Sequence, residues 1–515
     1  MVGHRDTVDN HQTVGNHHTA ISFLLAAVSG LAQVLLFPRF SLWFLAPLAV
    51  APLLVAVARE TGTRRHFLLG WLAGAIYWAG SCYWIYDVMH RYAYMAAPAA
   101  AAIFAGFFLV KGLHLGVFAM IAAPLLRRPW AIPAVAAAWV AVEGSHQYLA
   151  FTWLHLGNAG VSMAVLARLA PYTGVYGLSF AFAMMNVALA LVALRRPRRE
   201  LLWLAPLLLL YLFPALPAVK PGNHTARLVQ PNVHPDDMQH WDRAVQREHL
   251  ARMRQLSTET AAGMDATPPE LLIWPEYPVP GYFFDDPGFR AYMEDLARQT
   301  NTHVILNAIA FRDGDRGRPL NSALVLSPQG ELLSHYSKIF LVPFGEFVPW
   351  PFSLFIDKIT LEAGDFTPGD EVVVTQAGEH KIGTFICYES VFARGVRRFT
   401  AQGAELLVNL SNDSWYGSTS ARHQHLLIAR MRAAENARWL LRATNDGITS
   451  VIDPGGRVVA SLPSFQQGVL SARFDYLSET TWFTRFGEWF WWLSLVVTAG
   501  LWFAGRKHLS MVPRD

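Results

Sequence analysis

The first part of this chain reads as long apolar runs parted by short polar breaks, and the later part as short apolar runs alternating with charged, helically spaced stretches. A helix needs about 20 apolar residues to cross a hydrocarbon core. Runs of that kind fall at 21–38, 41–58, 67–86, 96–124, 130–148, 172–194 and 201–218, with an eighth at 487–505. From about residue 224 the period changes. Residues 226–229, 271–274, 303–308, 323–326, 381–387, 405–410 and 449–453 predict strands, and 237–260, 287–299, 392–402 and 421–437 predict helices. Such regular alternation implies an α/β domain of layered sheets with helices outside.

The predicted organisation is a disordered tail (1–20), a membrane domain of seven transmembrane helices (21–218), an α/β domain (219–486), an eighth transmembrane helix (487–505) and a short tail (506–515). Composition supports it: in 515 residues, 53% hydrophobic and 16% charged is wrong for a soluble protein of this size. The formal charge of +4 is small and scattered, which excludes a nucleic-acid footprint. The basic clusters instead alternate along the spans. Arg59, Arg64 and Arg65 follow the second span, Arg127 and Arg128 the fourth, Arg195, Arg196, Arg198 and Arg199 the sixth, and Arg506 and Lys507 the eighth. The opposite loops carry only Arg39, Arg91 and Arg168. Because Lys and Arg in short loops mark the cytoplasmic face, both termini are expected inside a bacterial inner membrane and the α/β domain in the periplasm. Trp489, Trp491 and Trp492 would anchor the outer end of the last span. The first span also resembles a signal peptide, and the remaining seven keep the same charge pattern without it.

Two cysteines, Cys82 and Cys387, give neither a disulfide framework nor metal spacing, and no metal or organic cofactor is implied. The histidines of the N-terminal tail are assigned no function. Lys111 and His114 share a face of the fourth span, as an intramembrane site or as polar groups turned toward a neighbouring helix.

Four segments of the α/β domain carry candidate chemistry. Leu271–Pro278 ends a buried strand on Glu276 between two prolines, a general base raised toward neutrality or an ordinary loop acid. In Tyr336–Pro349, Lys338 and Glu346 interrupt an apolar stretch; the ammonium either snorkels to water or faces a developing oxyanion. Lys381–Ser390 delivers Cys387 at a strand-to-helix turn, where it is a nucleophile needing a nearby base or a buried packing residue. Asn409–Gly417 is a polar strand end that lines a pocket or simply turns.

An acid, an amine and a thiol in the order Glu276, Lys338, Cys387, each at or near a predicted strand end, resemble the carbon–nitrogen hydrolase (nitrilase) superfamily. Within it, Trp274-Pro275-Glu276, Pro343 to Pro349, Cys387-Tyr388-Glu389, Ser411 to Gly417 and Leu441 to Thr449 are similar to the apolipoprotein N-acyltransferase branch. So are the eight spans and Gly174 to Phe180 at the sixth span's entry. Asp446 departs from the pattern, standing where a small or amide residue is expected. The resemblance implies a nitrilase-like αββα sandwich and acyl transfer through a Cys387 thioester, with Glu276 as base and Lys338 with backbone N–H groups as oxyanion donors. It implies supporting or substrate-binding roles for Glu346, Tyr388, Glu389, Trp241 and Asn412. Its partners would be a phospholipid acyl donor, a diacylglyceryl apolipoprotein acceptor and membrane lipid. The aromatic segments Tyr282–Phe284 and Phe340 through Phe355 would dip into the outer leaflet or pack in the core. Two rivals remain at this stage: a membrane-tethered amidase with the same triad, and a transporter or lipid-binding scaffold with an inactive outer domain.

Overall fold

The structure is a computed structural model and describes residues 5–92, 94–148, 151–216, 222–234, 242–258, 269–277, 281–348, 350 and 365–510. Trp241 lies outside them. The chain divides into two compact units, one made of Met1–Tyr86, Ala96–Ala215 and Glu488–Asp515, the other of Asp87–Met95 and Leu216–Gly487.

The first unit is helical. Arg5–Leu35 starts within the stretch expected as a tail, and its apolar part is His18–Leu35. Among the described residues three helical segments are long and apolar enough to cross a membrane: His18–Leu35, Ala97–Leu125 and Val175–Ala193. Ala131–Ser145 and Trp489–Ala504 are apolar but shorter. Glycines let the Thr63–Ser81 and Ala97–Leu125 helices meet closely: a Cβ on Gly74 would lie 2.9 Å from the Gly112 Cα.

Two expected spans are not plain α-helices. Over 41–58 the chain winds in turns and becomes α-helical only at Ala51–Arg59, with Pro52 in the first turn, where a missing N–H costs nothing. The buried Asn186 of the Val175–Ala193 helix satisfies this break: its Oδ1 accepts from Val50 N and Ala51 N at 2.7 and 2.9 Å, and its Nδ2 donates to the Ala46 carbonyl at 2.8 Å. Irregular backbone at membrane depth persists only where such partners exist. The run at 201–218 is wound as a tighter 3₁₀ helix, Arg198–Leu212, with Pro206 inside it. At about 2 Å of rise per residue, this form covers more length than an α-helix of equal count. Lys111 turns toward neighbouring backbone, donating to the Phe151 carbonyl at 2.7 Å and lying 2.6 Å from His146 Nδ1, while His114 stacks on His146.

The second unit holds the sheets. Its strands are β1 (His224–Gln230), β2 (Leu271–Ile273), β3 (His303–Phe311), β4 (Pro319–Leu326), β5 (Leu332–Ser337), β6 (Val374–Ala377), β7 (His380–Ile386), β8 (Leu406–Ser411), β9 (Leu440–Thr444), β10 (Ser450–Ile452), β11 (Val458–Ser461) and β12 (Gly468–Phe474). They form two six-stranded sheets, ordered β12-β1-β2-β3-β4-β5 and β6-β7-β8-β9-β10-β11. Each has the same grammar: three central parallel strands, one antiparallel strand on one side and two on the other.

The central strands are apolar on both faces because both faces are covered. On β2, Leu271 and Ile273 join the core between the sheets, with Phe385, Val408 and Leu441. Leu272, followed by Trp274, joins the outer core beneath the helices Arg243–Thr258 and Pro287–Thr300, which contribute Met253, Met293 and Leu296. Ala393–Ala401 and Ala421–Asn436 lie against the second sheet. The result is the expected helix–sheet–sheet–helix layering, an αββα sandwich. Phe283 belongs to the core, whereas Tyr282 and Phe284 are exposed.

Candidate functional site

Three strand ends deliver the acid, the amine and the thiol. Glu276 follows β2 by three residues, and the chain turns sharply behind it, with Tyr277 at φ 51° and its N–H donating to Asn307 Oδ1 at 3.1 Å. Lys338 is the first residue after β5, pinned by its own N–H to the Asn321 carbonyl at 2.8 Å. Cys387 is the first after β7 and sits at φ 50°, a left-handed conformation costing an L-residue about 1–3 kcal/mol.

All three are buried, and they converge with Glu346. Lys338 Nζ lies 3.3 Å from Glu276 Oε1 and donates to Glu346 Oε1 at 2.8 Å. Asn321 Nδ2 donates to the same two oxygens at 2.9 and 2.8 Å. The remaining carboxylate oxygens accept backbone donors, Glu276 Oε2 from Asn412 N at 2.9 Å and Glu346 Oε2 from Val342 N at 2.8 Å. Asn412 thus fixes the acid through its main chain. Glu276 and Ser411 both act on the ionisation of the Cys387 thiol.

The electrostatics follow from this packing. Burial pushes the Glu276 pKa up, and the Glu346 carboxylate adds to it against the pull of Lys338. Burial also works against the Lys338 ammonium, but Glu276 and Glu346 outweigh it and hold the amine firmly charged. Burial and then Glu276 raise the Cys387 thiol, despite Lys338. A neutral thiol therefore sits beside the Lys338 ammonium and the Glu276 and Glu346 carboxyl groups. Moving the thiol proton to Glu276 leaves the net charge of the dry pocket unchanged, so the thiolate forms without adding charge.

Glu389 is a fastener. Its Oε1 accepts from Tyr336 OH, Ile339 N and Phe340 N at 2.7, 2.8 and 3.2 Å, and its Oε2 from Ile386 N at 2.8 Å, tying the Lys338 loop to the Cys387 turn. Tyr388 is buried, with its ring edge-on to Phe392. Sequence reasoning missed Asn321, which bridges the two carboxylates, and His425; it took in Ser411, Asp413 and Arg442 within quoted segments but not as one buried set with His425. An arginine inside the apolar Leu440–Thr444 was the available signal for that set.

Comparison with known proteins adds the kinship. Residues 225–482 match the carbon-nitrogen hydrolase family and residues 29–188 the apolipoprotein N-acyltransferase N-terminal domain. The apolipoprotein N-acyltransferase of Geobacter metallireducens is 35% identical over 503 residues, covering 91% of this chain and 92% of that protein. That of Pseudomonas putida is 32% identical over 486 residues, covering 90% and 93%. The chain belongs to the apolipoprotein N-acyltransferase family. Among solved structures, an amidase from Nesterenkonia sp. is 20% identical over 50% of this chain and 92% of that one, with a TM-score of 0.35. A carbon-nitrogen hydrolase from Helicobacter pylori is 20% identical over 48% and 88%, with a TM-score of 0.37.

As a member of the apolipoprotein N-acyltransferase family, this chain is an N-acyltransferase of the carbon-nitrogen hydrolase superfamily, acting in lipoprotein maturation. The departure at Asp446 is accommodated locally. Arg422 donates to its carbonyl at 2.8 Å and to its Oδ2 at 3.3 Å, while burial pushes its carboxyl pKa up to about 6.

Proposed function

We propose that Glu276, Lys338 and Cys387 carry a two-step transfer from a membrane phospholipid to the free α-amine of a diacylglyceryl-cysteine lipoprotein. Glu276 takes the thiol proton as Cys387 Sγ attacks the sn-1 ester carbonyl. Lys338 and backbone N–H groups opening the Cys387–Val391 turn hold the oxyanion. The carbon–oxygen bond to glycerol then breaks, Glu276 returns the proton to the leaving alkoxide, and a lysophospholipid departs from a thioester. In the second step the lipoprotein amine attacks that thioester, the carbon–sulfur bond breaks, and an amide forms with the thiol regenerated. The observation that carries this reading is the buried Lys338 ammonium bridging the Glu276 and Glu346 carboxylates beside Cys387. Glu346 keeps the amine charged and in place.

Both substrates are anchored in lipid, which gives the apolar helices their purpose. Eight crossings fit the chain's own path. The Asp87–Met95 connector belongs to the sheet-bearing unit, where Tyr92 packs edge-on to Trp415. Read as crossings, the eight apolar runs of the sequence fall three before residue 87, four between 96 and 218, and one from 487 onward. An odd number of crossings on either side of the sheet-bearing domain supports opposite faces for the termini and that domain. With the arginine distribution, the face of the termini is the cytoplasm and the domain is periplasmic.

The test is to incubate detergent-solubilised protein with phospholipid and a diacylglyceryl lipopeptide. The expected result is one acyl chain added to the peptide amine, with one lysophospholipid released. Free fatty acid with an unmodified peptide would reveal a hydrolase and overturn the reading.

A further inference from the structure

A polar cluster lies behind Cys387, outside the groups assigned above to acyl transfer. His425 of the Ala421–Asn436 helix, Asp413 just beyond β8, and Arg442 of β9 are each completely buried. His425 Nε2 lies 3.1 Å from the Cys387 carbonyl oxygen and 2.8 Å from Ser390 Oγ. Its Nδ1 lies 3.0 Å from Asp413 Oδ1 and 3.0 Å from an Arg442 nitrogen, which itself donates to both Asp413 oxygens at 2.9 and 2.8 Å.

A carbonyl oxygen only accepts, so Nε2 carries the proton in that contact. Nδ1 faces both the Asp413 carboxylate and an Arg442 N–H, and Asp413 sets the place of each. Burial, reinforced by Arg442 and opposed by Asp413, lowers the His425 pKa. A trans peptide is planar, with its C=O and N–H pointing opposite ways. Holding the Cys387 carbonyl against His425 therefore turns the Tyr388 N–H to the other side of the turn. The left-handed Cys387 backbone would relax without such an anchor.

We infer that His425 is a positioning residue that holds the Cys387–Tyr388 peptide so that the Tyr388 N–H meets the oxyanion of the tetrahedral intermediate. This rests on the acyl-transfer reading above. It also makes Asp413 and Arg442 the frame that orients the imidazole.

The test uses His425→Gln, whose amide nitrogen reaches the place of Nε2, and His425→Asn, whose amide reaches only that of Nδ1. Two rates are measured on each full-length protein in detergent: acyl-enzyme formation from phospholipid, and alkylation of Cys387 by iodoacetamide, which needs a thiolate but no oxyanion donor. His425→Asn is expected to slow acylation about 10²–10³-fold, the scale of one lost oxyanion donor, while alkylating at the wild-type rate. His425→Gln restores most of the acylation. Equal acylation by the two variants, or acylation and alkylation falling together, overturns the inference. Failure of the wild type to acylate would overturn the acyl-transfer reading itself, a distinct result.

Discussion

Replacing Glu346 by Gln removes one negative charge from the pocket while keeping the side chain's shape. Glu346 and Glu276 share one ammonium at 2.8 and 3.3 Å, so their nearest oxygens lie within about 6 Å of each other. At an effective dielectric of about 20, two like charges at that distance repel by about 3 kcal/mol, or about two pKa units. The Glu276 carboxyl, raised in the native site by burial and by this neighbour, falls accordingly, with Lys338 still pulling it down. Acylation needs Glu276 unprotonated, so its rate is lost as pH falls through the Glu276 pKa. In Glu346→Gln that acid limb moves to lower pH by up to about two units, and the weaker base slows the plateau roughly tenfold. The amide also cannot face every former partner with oxygen: turned toward Lys338, it presents its NH₂ to the Val342 N–H, costing about 1–3 kcal/mol of stability. The assay is single-turnover acyl-enzyme formation from phospholipid across pH. An acid limb that stays in place, or moves upward, refutes the electrostatic account.

Glu389→Ala strands the donors of Tyr336, Ile339, Phe340 and Ile386, and is expected to destabilise the sheet-bearing unit by about 3–5 kcal/mol. A melting temperature unchanged in detergent would contradict the fastener role. Asp413→Asn leaves the buried Arg442 without its carboxylate, at a cost of about 3–5 kcal/mol. Although burial opposes it, Arg442 holds the Asp413 pKa far below the usual carboxylate range. Its stabilisation is therefore full at neutral pH, and the gap between wild type and variant narrows as pH falls below about 4. Melting curves at neutral and acid pH check both sign and size.

Most strands that bury both faces were legible because continuous apolar runs bounded by turns have few other uses. The candidate acid and thiol were legible because each sits where such a run stops, and the amine because it interrupts the apolar stretch that follows β5. Other strands carry weaker patterns. β5 and β11 are half-exposed edges, and β12 pairs with β1 across more than 230 residues, so nothing local announces it. β9 hides behind Arg442, a charge that looks foreign to a strand until Asp413 is placed beside it. That pairing joins a loop and a strand, which spacing along the chain cannot reveal. In the helical unit, hydropathy found the apolar runs but not their winding. Prolines at 47 and 52, and the capping of Val50 and Ala51 by distant Asn186, decide the form of the second run.

The most direct test of the account is the intact mass of the detergent-purified protein after incubation with phospholipid alone, beside Cys387→Ala. The variant matters because Cys82 is a second free thiol. The account predicts one added acyl chain on the wild type, removed by hydroxylamine and absent from the variant. Folded wild-type protein that gains no mass and releases no lysophospholipid, or an adduct that persists in Cys387→Ala, would contradict it.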